Sequence, residues 1–390
     1  MKRLILHFGL IAFGLCLALV LCEVVLRAIY PTCTVLRTFR YDRGVFLSPL
    51  QEAACSNGEF DVVVRSNSLG FHDHEHGREK PSETCRVLFL GDSLIEAVQV
   101  DRTDSVTALV EDSLRNESKN VEVLNFASSG AGPSQYLRVL ETLGLSYHPD
   151  LVVLWLYLGN DIRNSHRELQ PSNTMPFHTL DSEGNLVFVP APAKVPASPL
   201  RKFFGGITFF RLFREALRET PLQKPLPWLG LAANEGKASR NRKGIPVDWN
   251  TYRKNHDGVW EEAYEVAFRV LAKTKEILDA HHIPFVVAVI PTNLDIEDRW
   301  KEALSYYHVT YIPEEWDFKG PRRRVLTRLK ELGIDSVDLL PFFQEDFQKN
   351  GISHSWKKDA HWNERGHSLA AKVIEPRVLE ELQSCLANDS

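Results

Sequence analysis

The sequence lacks a dominant charge. Its 46 Lys and Arg stand against 51 Asp and Glu, a formal net charge of −5, and the isoelectric point is near 6.3. That leaves no electrostatic footprint for a phosphate backbone, so nucleic acid is not an expected partner. The chain also has no internal repeat, which removes repeat architectures from consideration. Cysteine is scarce, with six in 390 residues. The rest is ordinary globular composition, 44% hydrophobic and 25% charged, and one elaborated α/β domain is compatible with the length.

The N-terminus carries a long apolar run. Lys2 and Arg3 precede an uncharged stretch from Leu4 to Cys22, interrupted in polarity only by His7. At the α-helical rise this spans roughly 28 Å, close to a hydrocarbon core. A cleaved signal peptide has a shorter apolar stretch and small residues before the cut. Leu19-Val20-Leu21-Cys22 supplies no such residue, and a lipoprotein-type cut fits poorly for the same reason. Residues 1–30 therefore read as an uncleaved anchor, with the N-terminus cytoplasmic and the body, residues 31–390, outside. Cys16 and Cys22 fall in the apolar run. Cys33, Cys55, Cys85 and Cys385 fall in the exported part, where disulfides persist. Four cysteines allow three pairings. Cys55 with Cys85 is the preferred one, since it ties the segment before the first strand to the start of the sheet; free buried thiols are the alternative.

Beyond a linker from Val24 to Tyr41, residues 42–85 are rich in turns, with an edge strand expected over Phe60–Val64. Within it, His72-Asp73-His74-Glu75-His76 has metal-ligating residue types but no flanking zinc scaffold, and reads as a solvated loop. Strands are expected at Val87–Leu90, Val121–Asn125, Leu151–Tyr157, Phe285–Ile290 and Ser336–Leu340. Helices are expected over Asp104–Arg115, Ser134–Leu145, Trp260–His281, Arg322–Leu332 and Ser368–Leu386. The first and third strands are continuously apolar, as in a parallel sheet covered on both faces. The alternation predicts a flavodoxin-like, doubly wound three-layer α/β sandwich with a five-stranded parallel sheet. Residues 162–257 interrupt this pattern. They hold an expected hairpin around Asp181–Asn185 and an aromatic stretch, Phe203–Phe213, interleaved with Arg201, Lys202, Arg211 and Arg214. This segment reads as an insertion packed on the main domain, with a lid or an amphipathic membrane-surface helix as alternatives.

Polar, small-residue loops follow three of the strands. Gly91-Asp92-Ser93 places a hydroxyl at the end of the first, the edge where ligands gather in open α/β sheets. A serine hydroxyl needs a base, an orienting acid and oxyanion donors. Asp359-Ala360-His361 in the terminal loop supplies an acid and a base. On an extended loop, a spacing of two turns both side chains to one side. The Ser93 N–H, the Gly130 N–H and the Asn160 side-chain amide are the candidate oxyanion donors, and the missing side chain at Gly130 lets the backbone approach a substrate.

These blocks resemble those of the SGNH (GDSL-type) hydrolases. Gly91-Asp92-Ser93-Leu94 is similar to the serine block and Asn125 through Gly130 to the glycine block. Gly159-Asn160-Asp161 is similar to the asparagine block and Asp359-Ala360-His361 to the histidine block. The resemblance covers roughly residues 84–161 and 258–380. Asn67-Ser68-Leu69-Gly70 is similar to a segment of membrane-anchored bacterial members. One departure is Leu158, where the family's asparagine block usually has a glycine. The resemblance implies Ser93 as nucleophile, His361 as base, Asp359 as its acid, and Ser93, Gly130 and Asn160 as the oxyanion hole. It implies an ester substrate, a small acyl ester or an acetylated glycan, and no metal or organic cofactor. Two alternatives stand beside hydrolysis: an O-acyltransferase or deacetylase acting on an exported polysaccharide, and a non-catalytic assembly module on the same scaffold.

Overall fold

In the computed structural model, which describes residues 2–29, 33–116, 120–170, 174–192, 207–217 and 245–387, the apolar runs align into one sheet. Its strands are β1 (Cys85–Leu90), β2 (Val121–Asn125), β3 (Leu151–Tyr157), β4 (Phe285–Ile290) and β5 (Asp335–Asp338), in the order β2-β1-β3-β4-β5. Every neighbouring pair is parallel. This is the flavodoxin-like order, and the strand direction of winding reverses between β1 and β3. The last strand begins and ends earlier than expected, because a helix starts at Leu340 with a proline in its first turn.

Alternation along buried strands sends successive side chains to opposite faces. Leu88, Leu90, Val152, Leu154, Val287 and Val289 pack against the helices Pro133–Thr142, Gly258–Ala280 and Gly320–Glu331 through Tyr136, Leu140, Tyr264, Leu271 and Leu329. Val87, Phe89, Val153, Trp155, Val286 and Ala288 meet Val106–Asn116, Leu340–Asn350 and Glu364–Glu381 through Val110, Phe343, Ile374 and Val378. Two cores on one sheet make the three layers.

Ahead of the sheet, a helix runs over Lys2–Ile29, and its Gly9–Arg27 portion is long and apolar enough to cross a membrane. The linker expected up to Tyr41 is not all linker. Arg37–Arg40 pairs antiparallel with Gly44–Leu47. The strand expected near residue 60 is Asp61–Arg65, which pairs with Glu52–Ser56 in a separate hairpin and does not edge the main sheet. Within 162–257, the hairpin Phe177–Leu180 with Leu186–Val189 packs by Leu180 and Leu186 on Leu137, Val266 and Val270, that is, on the main body. Residues 193–206 and 218–244 lie outside the described residues, and with them the lid reading and part of the aromatic stretch.

The preferred cysteine pairing is overturned. Cys33 bonds Cys55, and Cys85 bonds Cys385. The Thr34 N–H donates to the Ala54 carbonyl (2.9 Å), laying the chain beside the strand that carries Cys55. Cys85 opens β1, fully buried, where the C-terminal helix Gln383–Ala387 returns from 300 residues away. The solvated loop is also corrected, because His72 and Asp73 are 1% and 6% exposed. Asp73 accepts the Asn125 N–H (2.8 Å) at the end of β2, the His74 N–H (2.8 Å) and the His76 ring (3.1 Å). Burial alone would raise its carboxyl, but the His74 and His76 hydrogen bonds and the Asn125 N–H outweigh it and push it down to about 2. The ligand atoms of Asp73, His74 and His76 lie within 4.8 Å of one another, yet the carboxylate is already engaged as a buttress under β2.

Candidate active site

The turn after β1 needs a residue without a side chain. A Cβ at Gly91 would come within 2.6 Å of the Ile95 side chain and 3.3 Å of Trp155, so glycine permits the chain to fold straight from strand into the helix Ser93–Glu96. Asp92 caps that helix by accepting the Leu94 N–H (2.9 Å). Ser93 thus stands at the helix start, half-exposed at the mouth of the sheet.

The structure brings together residues 268 positions apart: the Ser93 Oγ lies 2.8 Å from Nε2 of His361. The other imidazole nitrogen, Nδ1, lies 2.5 Å from Oδ1 of Asp359. The loop reaches this geometry differently from the extended form expected, since Ala360 has φ +66°. Its N–H donates to the Trp356 carbonyl (3.1 Å), and the Trp356 N–H donates to the His361 carbonyl (2.9 Å). A tight turn, not an extended strand, sets the acid against the base.

Burial on its own would lower the His361 pKa. The Asp359 hydrogen bond and charge, with Asp92 behind them, overcome this and raise it above the ordinary histidine value. For Asp359 the balance is reversed: burial raises the carboxyl, but the His361 contacts and the Gln99 side chain hold it below its usual range. The pair is therefore set to carry an imidazolium against a carboxylate.

The three candidate oxyanion donors converge on the same edge. Gly130 has φ +73°, in the left-handed region that glycine tolerates, and its carbonyl accepts from Asn164 (3.3 Å) and Gln170 (3.3 Å). The loop is tied to β1 by the Ser128 N–H, which donates to the Gly91 carbonyl (3.1 Å). Among the described residues, neither the Gly130 N–H nor the Ser93 N–H has an acceptor. Asn160 donates from Nδ2 to Asp92 (3.2 Å), which places its amide beside the Ser93 turn. Leu158 does not distort this block. It is buried and its N–H donates to the Ile290 carbonyl (3.1 Å), continuing β3 by one residue. Asp161, fully buried, then accepts the Tyr157 N–H (2.9 Å) and the Tyr136 hydroxyl (3.0 Å), and burial followed by the Asp92 charge pushes its carboxyl well up.

Sequence reasoning missed two sets of supporting residues. Glu59, in the turn of the hairpin before β1, accepts the backbone N–H groups of Lys357 (3.0 Å), Lys358 (2.7 Å) and Asp359 (3.3 Å). Its neighbour Phe60 packs on Trp356 with ring centroids 5.7 Å apart. Arg37, from the first hairpin, makes two 2.8 Å bonds to fully buried Glu96 and one of 2.9 Å to Ser129, beside Gly130. Ser129 Oγ also bonds Glu96. Burial would raise the Glu96 carboxyl, but the Arg37 charge and hydrogen bonds and Ser129 hold it below its usual range. Nothing local in the sequence marks these residues, because their partners lie 33 to 300 positions away.

No family model matches the chain, and no curated protein matches it. Among solved structures it is similar to an acetyl xylan esterase at 13% identity and a TM-score of 0.38, covering 75% of this chain and 99% of that one. It is similar to a member of the lipolytic G-D-S-L family from Veillonella parvula at 12% identity and a TM-score of 0.36, covering 74% and 96%. A third is the psychrotrophic esterase EstA from Pseudoalteromonas sp., at 12% identity and a TM-score of 0.34, covering 76% and 98%. Likeness at this level assigns no chemistry, which has to come from the site itself.

Proposed function

We propose that the chain is a serine esterase of the SGNH type, held at a membrane by residues 1–30 and cleaving an ester outside the cytoplasm with its 31–390 domain. The observation that carries this reading is the chain of contacts from Ser93 Oγ through His361 to Asp359, at 2.8 and 2.5 Å, beside two backbone N–H groups that have no acceptor among the described residues. A hydroxyl, a base with a raised pKa and orphan donors on one sheet edge have no structural need of one another. Together they are what acyl transfer requires.

In this mechanism Ser93 Oγ attacks the acyl carbon as its proton passes to His361 Nε2. The carbonyl oxygen becomes an oxyanion, received by the N–H groups of Ser93 and Gly130 and by the second amide hydrogen of Asn160. Asp359 keeps the imidazole in the tautomer that accepts at Nε2 and stabilises the imidazolium. The intermediate collapses, and the departing alkoxide takes the proton from His361. A water then attacks the acyl-enzyme, giving its proton to His361; this second intermediate collapses, Ser93 Oγ leaves and takes that proton back from His361, and the carboxylic acid is released. The nucleophile, base, acid and donors all come from this chain.

The test is labelling of the full chain by a fluorophosphonate together with turnover of a short-chain ester. Ser93→Ala should abolish labelling and lower turnover on the order of 10⁴-fold or more while leaving the melting temperature nearly unchanged. A folded wild-type protein that neither labels nor turns over the ester sinks the proposal, as does comparable turnover in the variant. Acyl transfer separates from hydrolysis in the same assay when an acetylated donor and a sugar acceptor are supplied: acetylated acceptor, not free acetate, marks transfer.

A further inference from the structure

Among the described residues, none of the helix Thr208–Leu217 belongs to either core. It touches the N-terminal helix instead. The carboxylate of Glu23 accepts the backbone N–H groups of Thr208 (2.8 Å) and Phe209 (3.0 Å), so the start of this helix is pinned to one point on the apolar span. Glu23 lies four residues before Arg27, the last residue of the span Gly9–Arg27. At 1.5 Å per residue that is about 6 Å from the end of the span, the depth of a headgroup boundary. Here Phe209 and Phe213 are 43% and 47% exposed. Their rings stack, with centroids 6.2 Å apart. The spacing of four puts both on one face, and the helical period separates sequence positions 211 and 214, both arginine, from that face. An apolar aromatic face and basic positions on a short helix are the composition of a segment lying in a bilayer interface.

We propose that Thr208–Leu217 is such an interfacial helix, with Phe209 and Phe213 seated at the acyl-chain boundary of the leaflet on the side where the domain lies. The occupant of the exposed face is phospholipid, for two reasons: its start is fixed by Glu23 at the rim of the span, and its exposed face is aromatic beside a span whose own Val24 and Val25 are exposed. The inference rests on the anchor reading. Its consequence is a second point of attachment, which limits how far the body can swing about the single span and holds the catalytic edge at a set orientation to the membrane.

The test uses the full chain in phosphatidylcholine vesicles that contain radiolabelled phosphatidylcholine. A benzoylphenylalanine photocrosslinker replaces Phe213, or Val20 within the span, or Ile352 on the body. Val20 and Ile352 are 59% and 55% exposed, so all three sites accept the probe without disturbing the cores. Lipid adducts at positions 213 and 20, each severalfold above position 352, support the interfacial helix. Adduct at position 20 without adduct at position 213 overturns it and leaves the anchor standing. Adduct at neither position overturns both. Crosslinking of position 213 to a second chain in place of lipid overturns it in favour of self-association.

Discussion

Glu59→Gln tests whether the terminal loop is held by the hairpin that precedes the main sheet. The carboxylate receives three backbone N–H groups, from Lys357, Lys358 and Asp359, at 3.0, 2.7 and 3.3 Å. A hydrogen bond to a charged acceptor contributes about 1.5–3 kcal/mol when well shielded. Glu59 is half-buried, so solvent screens part of this, and the amide of glutamine keeps one accepting oxygen. A net loss of about 1–2 kcal/mol in the positioning of Asp359 follows, which at about 1.4 kcal/mol per tenfold is roughly a 5- to 30-fold fall in kcat/KM. That is small against the loss expected from Ser93→Ala, and the two effects are distinguishable by size alone. There is a second readout. A looser Asp359 raises the His361 pKa less, so the rising limb of the pH profile should move to lower pH than in the wild type. The assay is kcat/KM on a short-chain nitrophenyl ester from pH 5 to pH 9, with melting temperature measured alongside. Wild-type kinetics and an unmoved limb in a folded Glu59→Gln protein would refute the reasoning.

Three further outcomes are expected. In the proposed mechanism, His361 acts as a base only when neutral, and its pKa is raised. Activity should therefore climb with pH through an apparent pKa above the ordinary histidine value of about 6.5, and a limb at or below that value counts against the Asp359 pairing. Asp359→Asn removes the charge that raises it, so its residual activity should rise at lower pH and at a much smaller maximum. Replacing Cys85 and Cys385 by serine opens a loop of 300 residues. Chain-entropy arguments put the stability lost on the order of 5 kcal/mol, to be read as a lower urea midpoint, with kcat/KM in the folded baseline unchanged. An unchanged midpoint would show that the bond constrains little.

What the sequence determined by itself is what depends on spacing along the chain. Short continuous apolar runs bounded by turn residues read as strands buried on both faces, and their alternation with amphipathic helices leaves the doubly wound sheet as the natural solution. Breaks after Leu90, Asn125 and Tyr157 put Ser93, Gly130 and Asn160 at one edge of that sheet, because all strand ends of a parallel sheet point the same way. Asp359 and His361 were legible as a pair for the same reason of proximity in sequence, although the turn at Ala360 that joins them was not. Tertiary structure alone decided the rest. Which cysteines meet, that Glu59 holds the Asp359 loop, that Arg37 and Glu96 brace Ser129, and that His72 and Asp73 are buried under β2 all follow from distances between elements. Such contacts form because the folded chain brings distant segments to within a few ångströms, and hydrogen bonds and disulfides respond to that separation and not to the number of residues between partners.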